Sequence, residues 1–433
     1  MEPSANTNQK AISSSQTQKA GIAKAPKFNP YDPAFRTNPY PIYHSLRSVE
    51  PIHKSFLGMW VLTRYADAKA VLRNPRFCVN KMQKNVKNKS NSLEQRDFNT
   101  LAQAIDKWLI FLDPPEHTRL RGLISKAFSS TSIKFMRPQI QQIADELISK
   151  VRYKGFMDII SDFACPLPCN VIAAILGVPL EDWFKLYHWS DELSNILDPL
   201  ISLENYEQMN KVALEFTDYF KSLIAQRQKS PQQDLLSALI TVKEQDNKLN
   251  EEEIISVCML LFFAGEETTV NLISNGMLAL LRHPQQMQQL KTQPTLIQSA
   301  VEEMLRYDSP IQIITRVATE DVDIDGITIR VGDKVLVLLG AANRDPAQFP
   351  EPDRFDITRA NNSHLAFIDG IHYCLGAALT RIEGEIAINA LVQQLPDLKL
   401  SQDKVEWRKK VSFRSLKALP VTFKPTNVNW SLE

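Results

Sequence analysis

The 433-residue sequence carries no excess of charge of either sign. Its 50 Lys and Arg stand against 49 Asp and Glu, giving a formal net charge of +1. Nothing in that balance attracts a polyanion, so nucleic acid is not indicated and any basic docking face must be local. Long hydrophobic runs are also missing. The longest, residues 257–264, falls far short of the roughly 20 residues a membrane-spanning helix needs. Residues 1–27, rich in Ser, Gln, Asn, Lys and Ala, read as a disordered tail rather than a signal peptide or membrane anchor. Cysteine is scarce: Cys78, Cys165, Cys169, Cys258 and Cys374 form an odd, widely spread set. That pattern suits a reducing cytosol better than a disulfide framework, and Cys165 and Cys169, flanking prolines, read as structural. No internal repeat and no linker beyond residue 40 divides the chain. A soluble, cytoplasmic protein is expected.

The patterning that is present is mostly helical. Apolar residues recur at helical spacing over 66–73, 116–128, 138–151, 206–229 and 235–245. Strands are expected over 52–64, broken at Gly58, and over 322–337, where Val322, Ile324, Ile327, Ile329, Val331, Val335 and Val337 largely alternate. Residues 81–106 are polar and weakly patterned, and read as a mobile surface loop. Asn250 can cap a helix whose third residue is Glu253 and whose pattern runs to Pro284, about 33 residues or roughly 50 Å. Its middle, Cys258 to Ala264, is apolar nearly all round. It then turns polar at Gly265-Glu266-Glu267-Thr268-Thr269, which places a carboxylate and a hydroxyl in the interior. By itself such a run also fits Thr268 bonding back to the Ala264 carbonyl and the two glutamates on a solvated face.

Near the C-terminal end, Phe367-Ile368-Asp369-Gly370-Ile371-His372-Tyr373-Cys374-Leu375-Gly376 sets one cysteine between two glycines, just before a helix expected from Ala377. A thiolate is a strong, soft metal ligand, and the positive end of a helix depresses a thiol pKa. Alone, Cys374 could equally be a small buried hydrophobe. The spacing Phe-x-x-Gly-x-His-x-Cys-x-Gly, however, resembles the haem-binding loop of the cytochromes P-450.

That resemblance covers residues 30–424 and implies the mainly α, single-domain cytochrome P-450 fold with a small β region, over residues 28–433. It implies haem b, iron protoporphyrin IX, with Cys374 as the fifth iron ligand and Phe367 and Gly376 against the cofactor. Ala264-Gly265-Glu266-Glu267-Thr268-Thr269 resembles the family's distal helix. Ala264 and Gly265 would open a groove for dioxygen, while Glu267 and Thr268 would form the acid and alcohol pair that delivers protons by general acid catalysis. Glu303 and Arg306, three apart in Glu302-Glu303-Met304-Leu305-Arg306, would join Arg354 of Phe349-Pro350-Glu351-Pro352-Asp353-Arg354-Phe355 in a structural triad. His117 and Arg121 share a helix face. With Arg316 and His372 they match the groups that bind the haem propionates.

The implied activity is a monooxygenase that inserts one oxygen atom of dioxygen into an apolar organic substrate such as a secondary metabolite, lipid or polyketide-like molecule. Electrons would come from NAD(P)H through a ferredoxin or flavodoxin with its reductase. Leu260, Phe263, Gln312, Ile313 and Phe413 are the substrate-facing candidates, and residues 81–106 and 178–203 the lid. A peroxygenase or isomerase needing no redox partner, or a non-catalytic haem sensor or carrier, would have no use for Glu267 and Thr268. Two departures stand out. Ile368 occupies a position the family usually gives to a small residue and is expected at φ below zero, and Asp369 adds negative charge. Gly122 replaces a frequently basic residue, which leaves Arg119, Lys126 and Arg381 as basic contacts for an acidic redox partner.

Overall fold

The computed structural model describes residues 27–79, 82–91, 97–127, 136–198, 201–244 and 247–426. All of the segment read as a tail except Lys27 lies outside the described residues. In chain order the first part runs α1 (Pro33–Thr37), α2 (Tyr40–Val49), β1 (Ile52–Lys54), β2 (Trp60–Leu62), α3 (Tyr65–Arg73), β3 (Phe77–Val79), α4 (Met82–Asn91), α5 (Asn99–Ala104) and α6 (Glu116–Ala127). The middle is helical: α7 (Arg137–Ser149), β4 (Phe156–Asp158), α8 (Pro166–Leu176), α9 (Trp183–Leu193), α10 (Leu203–Lys229) and α11 (Leu235–Thr241). A small hairpin, β5 (Lys243–Glu244) and β6 (Asn247–Lys248), precedes α12 (Glu251–Arg282), α13 (Pro284–Thr292) and α14 (Ile297–Tyr307). The last part holds β7 (Ile313–Ala318), β8 (Val322–Ile324), β9 (Ile327–Ile329), β10 (Lys334–Leu338), α15 (Leu339–Ala342), α16 (Ala377–Gln394), β11 (Lys399–Leu400) and β12 (Pro420–Thr422).

Helix α12 is the axis of the molecule. Its start is a capping box: Asn250 Oδ1 accepts from the Glu253 N–H at 2.9 Å and Glu253 accepts from the Asn250 N–H at 3.0 Å. That satisfies two of the donors a helix N-terminus leaves unpaired. From Ile254 to Leu280 nearly every side chain is buried, because α8, α9, α10 and α16 surround it. At 1.5 Å per residue its 32 residues span about 48 Å. Gly276 lets α14 approach, since a Cβ there would lie 2.6 Å from Met304 Sδ. The five-stranded sheet, ordered β1-β2-β10-β7-β3, has β10 parallel to β2 and antiparallel to β7, and it walls one side of the site. Among the described residues no helix is long and apolar enough to cross a membrane.

The segment 81–106 differs from its reading as a loop. It holds α4 and α5, because Met82, Val86 and Ser90 form a buried stripe at spacing four. A stripe one residue wide among Lys and Asn is too narrow to register as a helical pattern. Phe98 stacks on Tyr206 of α10 at 5.4 Å and the Leu101 N–H donates to Asn210 Oδ1 at 2.9 Å, which ties α5 down.

Candidate active site

The cysteine loop is held from several directions. The Cys374 N–H donates to the Phe367 carbonyl at 3.0 Å, and Asp369 Oδ1 accepts from the Gly370 N–H at 2.7 Å. Gly370 sits at φ +73°, where a Cβ would lie 2.6 Å from the Leu72 carbonyl oxygen, so this position requires glycine. Ile368 overturns the expectation of a negative φ: it sits at +63°. The left-handed region costs a non-glycine residue roughly 1–2 kcal/mol, so surrounding contacts must impose it. Asp369 is not a free negative charge either, since Arg73 Nε reaches its Oδ2 at 2.9 Å.

The loop faces a cavity of about 1240 Å³ lined on one side by Phe367, Ile368, His372, Cys374 and Gly376 and on the other by Leu260, Ala264, Gly265 and Thr268 of α12. Burial raises the Cys374 thiol pKa, and the N–H of Gly376, Arg121 and Arg381 oppose that without overcoming it. The N–H groups at the start of α16 do lower this thiol, as its place before a helix predicts, but burial outweighs them. A bound metal cation deprotonates such a thiol outright.

At the cavity edge the structure brings together the four groups expected to meet haem. The His117 and His372 rings lie 4.5 Å apart, and Arg121 Nη2 donates to the Tyr373 carbonyl at 2.6 Å. Arg316, buried in β7, donates only to the Thr315 carbonyl among the described residues, and burial lowers its pKa to about 10. Burial lowers His372 to about 3, helped by Arg316, His117 and Arg121. His117 Nε2 is buried without a partner. Two guanidiniums beside two imidazoles held neutral, one of them with an orphaned ring nitrogen, are what a ligand carrying two carboxylates relieves, so these residues fit haem.

On α12, Thr268 Oγ1 donates to the Ala264 carbonyl at 2.9 Å and lines the cavity. Glu267 does not line it. Adjacent helix positions point about 100° apart, and the Glu267 carboxylate turns instead to Ser415 Oγ at 2.8 Å, Lys410 Nζ at 3.0 Å and Asn271 Nδ2 at 3.1 Å. Lys410 and Arg408 each reach Asp191 Oδ1 at 2.6 Å, and Asp191 and Arg408 are about one-quarter exposed. A ladder of charges thus leads from solvent to Glu267. The alternative of a solvated glutamate face is excluded, because Glu266 is 1% and Glu267 4% exposed. Glu266 accepts from Ser190 Oγ at 3.1 Å and its other oxygen has no partner. Burial, then the Glu267 charge, holds its pKa well above the carboxylate range.

Sequence reasoning missed Glu383 of α16. It lines the cavity floor, accepts from Thr269 Oγ1 at 3.4 Å, and is raised by burial to about 8. Its place on the first turns after Cys374 was the available signal.

The expected triad is corrected in one member. Arg306 makes two bonds to Glu303, at 2.7 and 2.8 Å, with both side chains fully buried. Arg354, by contrast, is 59% exposed and pairs with Glu351. The second guanidinium on Glu303 belongs to Arg359, 10% exposed, at 3.2 Å. Arg354 contributes its carbonyl, which accepts from Arg306 and Arg359.

Four of the five substrate-facing candidates lie elsewhere. Only Leu260 lines the main cavity. Phe263 stacks on Trp108 at 5.0 Å. Gln312 bonds Tyr43 and the Ser309 carbonyl, and with Phe413 faces a separate crevice beside α1. Ile313 lines an adjoining cavity. The main cavity is instead walled by Ile110, Ile172 and Ile311. Of the expected basic contacts, Arg119 is taken up by Glu253 and Glu116, and Arg381 by Glu302; Lys126 is exposed.

A family model described as Cytochrome P450 matches residues 41–417. The chain is 45% identical over 392 residues to the biotin biosynthesis cytochrome P450 of Bacillus subtilis (strain 168), covering 90% of this chain and 97% of that protein. It is 39% identical over 408 residues to the polyketide biosynthesis cytochrome P450 PksS of the same organism, covering 91% and 98%. Among solved structures, P450BioI in complex with hexadec-9Z-enoic acid ligated acyl carrier protein superposes with a TM-score of 0.84 at 44% identity, covering 90% of this chain and 99% of that one.

Proposed function

The chain belongs to the cytochrome P450 family of monooxygenases, and on that premise we propose that Cys374 ligates haem b and that the enzyme inserts oxygen into an apolar organic molecule. The observation that carries the reading is the buried Cys374 thiol facing Thr268 across a largely apolar cavity, with Arg121, Arg316 and two neutral histidines gathered at its edge. His117, Arg121, Arg316 and His372 hold the propionates, and Phe367, Ala264, Gly265 and Gly376 bracket the ring. Bound haem supplies the iron at which dioxygen is reduced and cleaved, and a thiolate ligand favours that cleavage.

The chain's own groups then manage protons and water. Thr268 exchanges its bond to the Ala264 carbonyl for one to an oxygen or water in the cavity, and so holds a donor over the thiolate. Glu267 is the innermost titratable group of the ladder that reaches solvent at Asp191, and it passes protons to Thr268 through water, which is general acid catalysis. Lys410, whose pKa is raised by Glu267 and Asp191 against its burial, stays charged and holds the Glu267 carboxyl group in place. The isoleucine-lined walls exclude water around the substrate. Electrons come from NAD(P)H through a ferredoxin or flavodoxin in the cytoplasm. Names of the relatives, pointing to biotin and polyketide biosynthesis, and a neighbour solved with a fatty acid on its carrier support an apolar substrate.

The test is spectroscopic. The reduced, carbon-monoxide-bound protein is expected to show the red-shifted Soret band of a thiolate ligand, and Cys374→Ser to lose it. A histidine-type spectrum in the unmodified protein would refute the assignment.

A further inference from the structure

Arg381, expected from the sequence to meet an acidic redox partner, turns toward the cysteine loop instead. It stands on the second turn of α16, with its guanidinium 4.5 Å from the centre of the Phe367 ring, a cation–π distance, and Nη1 3.4 Å from the Tyr373 hydroxyl oxygen. Both of those residues touch the thiol's own backbone. The Phe367 carbonyl accepts from the Cys374 N–H at 3.0 Å, and Tyr373 is the residue before Cys374.

Glu302 of α14 holds it there, accepting from Arg381 Nε at 2.7 Å and from Nη2 at 3.0 Å. Two parallel bonds of this kind fix the plane of a guanidinium as well as its place. The pair stays ionised. Burial raises the Glu302 pKa, but His364 and Arg381 bring it down to about 2, and the bonds to Glu302 keep Arg381 charged against its burial. His364 Nε2 lies 3.2 Å from Glu302 Oε2, while its Nδ1 accepts from the Ala366 N–H at 3.2 Å and so carries no proton, which leaves the ring uncharged. Both members of the pair are roughly one-third exposed, so solvent damps their fields without removing them. Neither lines the substrate cavity.

Resting on the haem-thiolate reading above, we infer that Glu302 and Arg381 together set the reduction potential of the iron that Cys374 ligates. Arg381 presents a cation to the loop that carries the thiolate, and Glu302 is the positioning residue that fixes it on Phe367 and offsets its charge. The step affected is the one-electron reduction of iron(III) to iron(II), the electron coming from the redox partner and the thiolate staying bound. Reduction adds negative charge, so a nearby cation favours it and a nearby anion opposes it. Groups that touch a ligand rather than the metal tune a site in this way.

The experiment is an anaerobic redox titration of the haem-loaded protein, followed at the Soret band, on the unmodified chain and four variants. Glu302→Gln removes the anion and keeps a hydrogen-bonding side chain, and is expected to favour reduced iron about threefold, an upward shift of about 28 mV at 59 mV per tenfold. Arg381→Gln leaves Glu302 uncompensated and is expected to move the potential down by a similar amount. Arg381→Lys keeps the charge and should stay within about 1.5-fold of the unmodified protein. The double variant Glu302→Gln/Arg381→Gln should fall between the two single Gln variants. A merely structural role moves both Gln variants the same way, because each breaks the same pair. Shifts of one sign, no shift in either, or a Lys variant that behaves like the Gln variant would each overturn the inference, as would loss of the thiolate spectrum from all three single variants. A thiolate spectrum with shifts of one sign sinks this inference and leaves the family function standing, whereas a histidine-type spectrum in the unmodified protein sinks the function itself.

Discussion

Replacing Arg359 by Ala is expected to destabilise the protein far more than replacing Arg354. Glu303 has no solvent exposure and accepts from Arg306, Arg359, Asn362 Nδ2 and the Asp356 N–H. Arg359 also donates to the carbonyls of Pro350, Glu351 and Arg354. Its removal weakens the compensation of a buried carboxylate and strands part of three carbonyls, at a cost of about 3 kcal/mol. Arg354, 59% exposed, pairs with a Glu351 that is 72% exposed. Truncating it leaves the backbone carbonyl in place and is expected to change stability by less than about 0.5 kcal/mol. With a urea dependence of roughly 4 kcal/mol/M for a chain of this size, the midpoint should fall by about 0.7 M for Arg359→Ala and by about 0.1 M for Arg354→Ala. Urea unfolding of the haem-loaded proteins, followed together by far-ultraviolet circular dichroism and loss of the Soret band, measures both. Equal shifts, or a larger one for Arg354→Ala, would refute the assignment of Arg359 as the second guanidinium on Glu303.

Thr268→Ala should cut product formed per electron pair by about 10²-fold, the lower range for a positioned proton donor, with the missing electrons recovered as hydrogen peroxide. Unchanged coupling would remove Thr268 from proton delivery. Glu267→Gln should also lose coupling, whereas Glu266→Gln should retain it, because burial and the Glu267 charge push the Glu266 pKa well above the carboxylate range and no charge ladder leads to it. Glu383 carries a pH prediction. Its folded pKa is raised by burial from 4.5 to about 8, so between those values the folded state binds the extra proton. The stability this provides is complete below about pH 4.5 and is lost as pH rises through about 8. Glu383→Gln should therefore flatten the fall in unfolding free energy between pH 5 and 8 by close to one proton. An unaltered slope would mean that Glu383 ionises normally.

Much of the site was legible because its signals are local. The capping residues of α12, the apolar run up to Ala264, and the glycine and cysteine spacing of 367–376 each follow from residues within a few turns of one another. Where the chemistry depends on which of two nearby residues faces inward, spacing fails. Arg354 and Arg359 lie on one irregular segment without a helical or strand period, so nothing local says which guanidinium reaches Glu303. The substrate wall failed for a related reason: an extended segment entering β7 presents alternate residues to opposite sides, and only the pairing with β10 and the bridge from Ile311 to Phe413 decide that Ile311 faces the cavity and Gln312 does not.

The amino-acid sequence by itself determined the mainly helical class, the long axial helix and a glycine-flanked thiol, Cys374, just before a helix, since helix periodicity, capping and loop spacing are short-range properties. Tertiary structure alone decided the left-handed backbone of Ile368, the raised pKa of Glu266 and the turn of Glu267 away from the cavity. Those depend on desolvation and on side chains distant in the chain. Burial and cross-chain charge are fixed only when the elements pack.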